Sequence, residues 1–167
     1  LEDADDRLAY IYDTLLSARA FLSTAKSHDS VSDSEADVTV AGMVERVGAA
    51  MHDDLNSAAA LAEISEPLAT ANRFLASAKG ISKPARWKTL QAFVASMGEV
   101  SAMLGLFGDE PEGWLLARRD LKAARVGLDV AHVERLMADR VAARVAKDFE
   151  RADELRAQLS ALQVKIR

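Results

Sequence analysis

An all-α fold follows from three features of this 167-residue chain. Half of its residues are hydrophobic and alanine is abundant, while aromatic residues make up only 5%. Alanine, leucine, arginine and glutamate favour helix, and β-branched and aromatic content is low. Eight glycines and three prolines leave long uninterrupted stretches, and apolar residues recur along them at the three-and-four spacing of a helical face. The order of elements predicts an antiparallel four-helix bundle followed by a smaller helical segment.

The first helix is predicted from Asp3 to Lys26, with Leu8, Ile11, Leu15, Ala18 and Leu22 on one face. Ser27 to Asp37 is polar and rich in Ser and Asp, so it reads as a loop. A second helix carries Val40, Met43, Val47 and Ala50 inward and ends near Met51. Asp53-Asp54-Leu55-Asn56-Ser57 then reads as a helix start. Asn56 or Ser57 can cap the free N–H groups, and the two aspartates suit the positive end of the helix dipole. The third helix turns Leu61, Ile64, Leu68, Ala71 and Leu75 inward, with a kink expected at Pro67 and an end at Gly80. Ser82 caps a fourth helix with Pro84 in its first turn, and Trp87, Leu90, Val94, Met97 and Leu104 face inward. Gly105 and Gly108 close it.

Gly108 to Gly113 is the best linker candidate. Trp114 to Arg125 reads as a short basic helix, broken by Gly127-Leu128-Asp129. From Val130 onward, Val141, Val145, Phe149, Ala152, Leu155, Leu159 and Leu162 keep a helical period. Periodicity alone therefore predicts one long final helix, and only Asp148, a possible N-cap, hints at a break.

The net charge of −5 is unevenly divided. Residues 1–113 carry 9 Lys+Arg against 18 Asp+Glu, and residues 114–167 carry 12 against 8. Such asymmetry fits a polyanion partner for the second part, and it also fits a solvated mixed-charge helix. With no cysteine, a disulfide framework and a thiolate metal site are excluded within this sequence. No apolar run approaches the ~20 residues that span a bilayer. The chain begins at Leu1 rather than methionine, which suggests a piece of something longer.

His28, His52 and His132 are scattered without metal-ligand spacing, and surface or capping roles account for them. Asp53 and Asp54 could form an acid–base pair, but the first turn of a helix explains both. Trp87 lies on an apolar face and reads as core, whereas Trp114 could be core or a stacking surface. There is no Gly-rich phosphate loop and no nucleophile–base pair, so this chain is not expected to catalyse a reaction by itself. The most suggestive set is Arg140, Arg144, Lys147, Arg151 and Arg156 with Phe149 and Asp153. Arginine can grip a guanine edge or a phosphate, a phenyl ring can stack on an unpaired base, and a carboxylate can accept from a cytosine amino group. A packed Phe149 and an Asp153 paired with a neighbouring arginine account for the same residues without RNA.

Two motifs in this order resemble the cysteinyl-tRNA synthetase family. Met51 to Leu61 is similar to its Asp-Asp-Leu-Asn helix start, a mark of the DALR domain, and Lys147 to Arg156 (Lys-Asp-Phe-Glu-Arg-Ala-Asp-Glu-Leu-Arg) is similar to its anticodon-binding tail. The opening Asp6 to Leu15 and Leu104-Gly105-Leu106 also resemble the family. The resemblance implies a C-terminal region with a DALR-type bundle over 1–108, a linker and short basic helix over 109–129, and an anticodon-binding helical hairpin over 130–167, truncated at its C-terminus. It places the hairpin turn near Lys147 to Phe149, against the single helix of the periodicity. It implies cysteine tRNA as partner, with Arg144, Phe149 and Asp153 as anticodon contacts and Arg140, Lys147 and Arg151 beside them. It further implies a cytoplasmic parent enzyme that uses ATP and zinc on a missing N-terminal catalytic domain, with no cofactor in this piece and no membrane role. Two rivals stand beside it. The tail also resembles the UVR motif, a helical hairpin that binds proteins, and a plain helical interaction domain without an RNA role fits the composition.

Overall fold

A computed structural model describes residues 2–76 and 79–162. Among them the secondary structure is helical throughout, with no strand. The chain divides into two compact units, Leu1–Leu115 and Leu116–Arg167.

In the first unit, α1 (Glu2–Thr24) packs on α5 (Ser65–Ala76) and α6 (Lys83–Leu104), and these two pack on each other. α2 (Val38–Ala41) lies against α5 and α6, while α3 (Met43–His52) lies against α6 and α4 (Ser57–Ala62). The shared core is mostly aliphatic with three rings: Leu15, Val47, Leu68, Leu90 and Val100 are buried with Tyr12, Phe74 and Phe93. Each predicted helical face contributes to it, which is why spacing alone located the core.

Two predicted helices are each broken in two. The helix expected over residues 38–51 stops at Ala41 and restarts at Met43. Gly42 sits at the break, and the Arg46 guanidinium lies over it, where a Cβ would come within 2.8 Å of Nη1. From there Arg46 donates to the Thr39 carbonyl (2.6 Å) and to Glu63 (2.9 Å). The third predicted helix does not merely kink. α4 ends at Ala62 and α5 begins at Ser65, with Pro67 in its first turn. A proline lacks the N–H for the bond to residue 63, and its ring crowds that carbonyl, so the ladder restarts.

Asp53 and Asp54 do not both head a helix. Asp53 ends α3 through its N–H to the Ala49 carbonyl, and Asp54 and Leu55 are both left-handed (φ 53° and 56°). Asn56, not Ser57, is the N-cap of α4, accepting from Ala59 N–H at 3.0 Å. Ser82 caps α6 as expected, accepting from Ala85 N–H at 3.1 Å, and left-handed Gly105 ends it.

The polar loop after α1 is held down, and it contains a 3-10 turn at Asp33–Glu35. Lys88, buried on α6, donates to the Asp33 carboxylate (2.8 Å) and the Asp29 carbonyl (3.3 Å). Thr89 accepts from Asp37 N–H at 2.9 Å. Neighbouring Trp87 is core, as its helical face predicted. Trp114 stacks on Tyr12 with ring centroids 4.5 Å apart, and the Tyr12 hydroxyl donates to Asp109 at 3.3 Å.

In the second unit, the part of α7 (Pro111–Arg125) from Leu116 onward precedes α8 (Val130–Val145) and α9 (Phe149–Ala161), which pack side by side. Two connections use one device. After α7, Gly127 is left-handed, its N–H bonds the Ala124 carbonyl and Leu128 N–H bonds the Ala123 carbonyl. Asp129 then caps α8 by accepting from His132 N–H. After α8, Lys147 takes the left-handed place (φ 60°). Its N–H bonds the Arg144 carbonyl, Asp148 N–H bonds the Ala143 carbonyl, and Asp148 caps α9 through Arg151 N–H. Both are Schellman closures followed at once by an N-cap.

The single long helix that periodicity predicted is therefore two. Of its apolar series, Ala152, Leu155 and Leu159 are buried, while Val141, Val145 and Phe149 face solvent. Val133 and Leu136 of α8 complete the small core, with Leu128 and Leu162 against it.

So small a core has little redundancy. Leu155→Ala should destabilise the hairpin by about 2–4 kcal/mol, measured by hydrogen exchange of α8 and α9 amides. Burial, with a further push from the Asp109 charge, raises the Tyr12 phenol above its ordinary value of 10.0. A raised value means the folded state favours the protonated ring. That stability is intact below pH 10 and is lost as pH climbs through the folded value. Tyr12→Phe should flatten the fall of the melting temperature above pH 10.

Candidate nucleic-acid interface

The sequence-predicted contact residues cluster around the α8–α9 turn. Arg140 and Arg144 are one helical turn apart near the end of α8, Lys147 is in the turn, Phe149 opens α9, and Asp153 follows one turn later. Arg144, Lys147, Arg151 and Asp153 are exposed, and Phe149 is 63% exposed. Arg140 is half-buried, with its Nε enclosed and without a hydrogen-bond partner.

Their commitments differ. Arg151 forms an ion pair with Glu154 at 2.8 Å. Asp153 is not the carboxylate that this arginine engages. The structure gives no hydrogen bond or ion pair to the side chains of Arg144, Lys147 or Asp153, so their charges stand free among the described residues. Elsewhere in this unit Arg119 is held between Asp120 and Glu134, each at 2.8 Å, and these carboxylates raise its already high pKa.

Val141 and Val145 belong to the apolar period of the sequence yet are exposed, and with Met137 they add something the sequence reading missed. Met137, Val141 and Val145 recur every four residues and are 44%, 59% and 78% exposed. Arg140 and Arg144 run beside them at the neighbouring helical positions. The last turns of α8 thus offer an apolar strip next to a cationic one, with a phenyl ring just beyond. Base faces need the first and third, and phosphates need the second. The signal that could have revealed this was Asp148: once it caps a new helix, the apolar seam cannot continue through the turn.

Two of the three histidines have local structural partners. His28 meets Trp87 edge to face with centroids 6.4 Å apart, and His52 Nδ1 lies 2.7 Å from the Gly48 carbonyl. Among the described residues no group of three or more His, Cys, Asp or Glu side chains is placed to hold a metal ion. No described helix is long and apolar enough to cross a membrane.

The sequence comparisons run across both units. Residues 46–108 match the model of the DALR domain. A cysteine–tRNA ligase of Trichlorobacter lovleyi is 35% identical over 99% of this chain and 34% of its own length. One from Desulfovibrio desulfuricans is 34% identical over the same shares. Over nearly its whole length the chain is similar to part of these cysteine–tRNA ligases. A third relative of that name, from Anaeromyxobacter dehalogenans, is 45% identical over 68% of the chain and 23% of its own length. The chain spans about a third of the length of the first two relatives. No solved structure matches it significantly.

Since the Arg144 side chain makes no hydrogen bond or ion pair, Arg144→Ala should change stability by less than about 0.5 kcal/mol. Chemical denaturation of the two chains side by side checks this.

Proposed function

We propose that this chain is the C-terminal, tRNA-binding region of a cysteine–tRNA ligase, and that its α8–α9 turn reads the anticodon of cysteine tRNA. The observation that carries the reading is the uncommitted state of Arg144 and Asp153 on either side of an exposed Phe149. A cation, a ring and an acceptor held free at one turn suit splayed bases, which present a charged backbone, a flat face and a polar edge. Arg140 and Lys147 extend the cationic side, and Arg151 joins them once Glu154 gives way. Lys147 supports the reading in another way. Its left-handed backbone costs a non-glycine residue roughly 1–2 kcal/mol, and such strain gathers at functional sites, held in place by the surrounding hydrogen bonds.

The first unit serves as the mount. Taken in pairs, α2–α3 and α4–α5 are two broken rods that join α1 and α6 in an antiparallel four-helix bundle over residues 1–108. Residues 109–129 connect it to the anticodon hairpin of 130–167. The parent enzyme, in the cytoplasm, activates cysteine with ATP and transfers it to the tRNA. That chemistry, and the zinc that goes with it, belongs to a catalytic domain outside this chain.

The test is binding of cysteine tRNA to the full-length ligase. Arg144→Ala should weaken it by about 1–3 kcal/mol and lower the discrimination against an altered anticodon. The wild-type affinity should also fall steeply with salt, as phosphate contacts require. Unchanged affinity and discrimination in the Arg144→Ala enzyme would remove that residue from the interface.

A further inference from the structure

One strip of α8 is turned away from water. The residues of this helix that are not exposed are Val130, Val133, Leu136, Arg140 and Ala143, spaced by three, three, four and three. The strip is the seam with α9, because Val133 and Leu136 pack with Leu155 and Leu159. Arg140 therefore stands where the period calls for an apolar side chain. Its Nε is enclosed without a hydrogen-bond partner, and its guanidinium forms no ion pair among the described residues.

Two other half-buried arginines show how this fold treats such a group when it serves the structure. Arg86 Nε donates to the Phe74 carbonyl at 2.6 Å, and its Nη2 donates to the Leu75 carbonyl at 2.8 Å. Arg46 Nε donates to Glu63 at 2.9 Å, and its Nη2 donates to the Thr39 carbonyl at 2.6 Å. Both are fully used as struts. Arg140 is enclosed in the same way and returns no bond, so its place in the seam disfavours the hairpin.

We propose that Arg140 is a backbone anchor for the RNA: the seam fixes its stem and Nε, and its open Nη edge receives a phosphate of the anticodon loop, at a cost in hairpin stability. The inference rests on the reading that the α8–α9 turn binds tRNA, and it divides the labour there between Arg140 and Arg144. A stem already held in the seam loses little rotamer freedom on binding. With Nε enclosed, the two Nη atoms remain as one fork, which matches the paired oxygens of a phosphate. A half-buried charge is also less screened by salt than an exposed one. Arg140 is recessed one turn behind Arg144, away from the Phe149 ring that suits a base. Phosphate contacts set the register of the RNA, and base contacts at the tip supply the specificity.

The experiment uses Arg140→Met in the full-length ligase, which keeps an unbranched apolar stem and removes the guanidinium. Affinity for cysteine tRNA should fall about tenfold. The loss should be the same, within about twofold, for a tRNA with an altered anticodon, so discrimination is kept. The plot of log affinity against log salt should become shallower by about 0.7. Without RNA, amides of α8 and α9 should exchange at least about threefold more slowly, because an apolar side chain suits the seam. A strut would move stability and binding down together, so faster exchange overturns the proposal. Unchanged affinity or an unchanged salt slope overturns it too, and lost discrimination makes Arg140 a base contact instead. Arg144→Ala separates the two ideas. If that variant weakens binding and Arg140→Met does not, the anchor alone is rejected. If neither variant nor an altered anticodon changes binding, the anticodon reading falls and the anchor with it.

Discussion

The second unit depends on a reversal of the chain within three residues, Ala146 to Asp148. The last carbonyls of α8 and the first N–H groups of α9 would both lack partners there. Lys147 and Asp148 resolve both at once. Their N–H groups return to the carbonyls of Arg144 and Ala143, and the Asp148 carboxylate receives the N–H of Arg151. The condition is a left-handed backbone at Lys147, which glycine adopts more easily. The comparison inside the same unit is direct, because the α7–α8 closure is built alike and does use glycine, Gly127. Lysine at the second site gives up some backbone ease and places a charge at the tip.

That turn also decides which residues are core and which are surface. Without it, Val141, Val145 and Phe149 would continue one apolar seam down to Leu159. With it, the α8–α9 contact is closed by Val133 and Leu136 against Leu155 and Leu159, and the tip residues are turned out to water. Exposing a valine, a second valine and a phenylalanine together disfavours the free chain, and an apolar partner relieves that cost. The fold therefore creates the contact surface by interrupting a pattern that, left intact, would bury it.

Much of the first unit was legible in the sequence, because its core faces follow helical spacing and its caps are residues with one clear role. Ser82, Pro84 and Gly105 mark α6 at both ends, and Trp87, Leu90 and Met97 are buried between them as the period predicts, although Phe93 and Val100 are buried where Val94 and Leu104 were expected. What was not legible came from interactions across the fold. The break at Gly42 depends on Arg46 reaching back to Thr39 and across to Glu63, a geometry that no local window contains. Pro67 announced a disturbance, yet whether the helix bends or restarts depends on how Ile64 is packed. Asp53 and Asp54 read as the start of a helix, whereas Asp53 closes the one before it, and two left-handed residues in succession, Asp54 and Leu55, were not signalled by composition. At the tip the identities of the candidate contacts were readable, whereas their freedom from ion pairs was not. Arg151 and Arg144 look alike in sequence, and only the packed helix shows that Glu154 takes one and leaves the other.

The overall negative charge does not argue against a polyanion at that tip. The excess of acid lies in residues 1–113, while residues 114–167 are basic by 12 against 8. At physiological ionic strength exposed charges separated by more than about 8 Å are largely screened. What a phosphate or a base edge meets is therefore set by the groups within hydrogen-bonding reach, not by the total. Around the α8–α9 turn Arg144 and Lys147 are cations without side-chain partners, and they keep their hydrogen-bonding capacity for an incoming ligand. An arginine already paired with a carboxylate must lose that pair before it can bind, which at an exposed site costs up to about 1 kcal/mol. Local pairing, more than the count of basic residues, separates a surface suited to RNA from one that is merely charged.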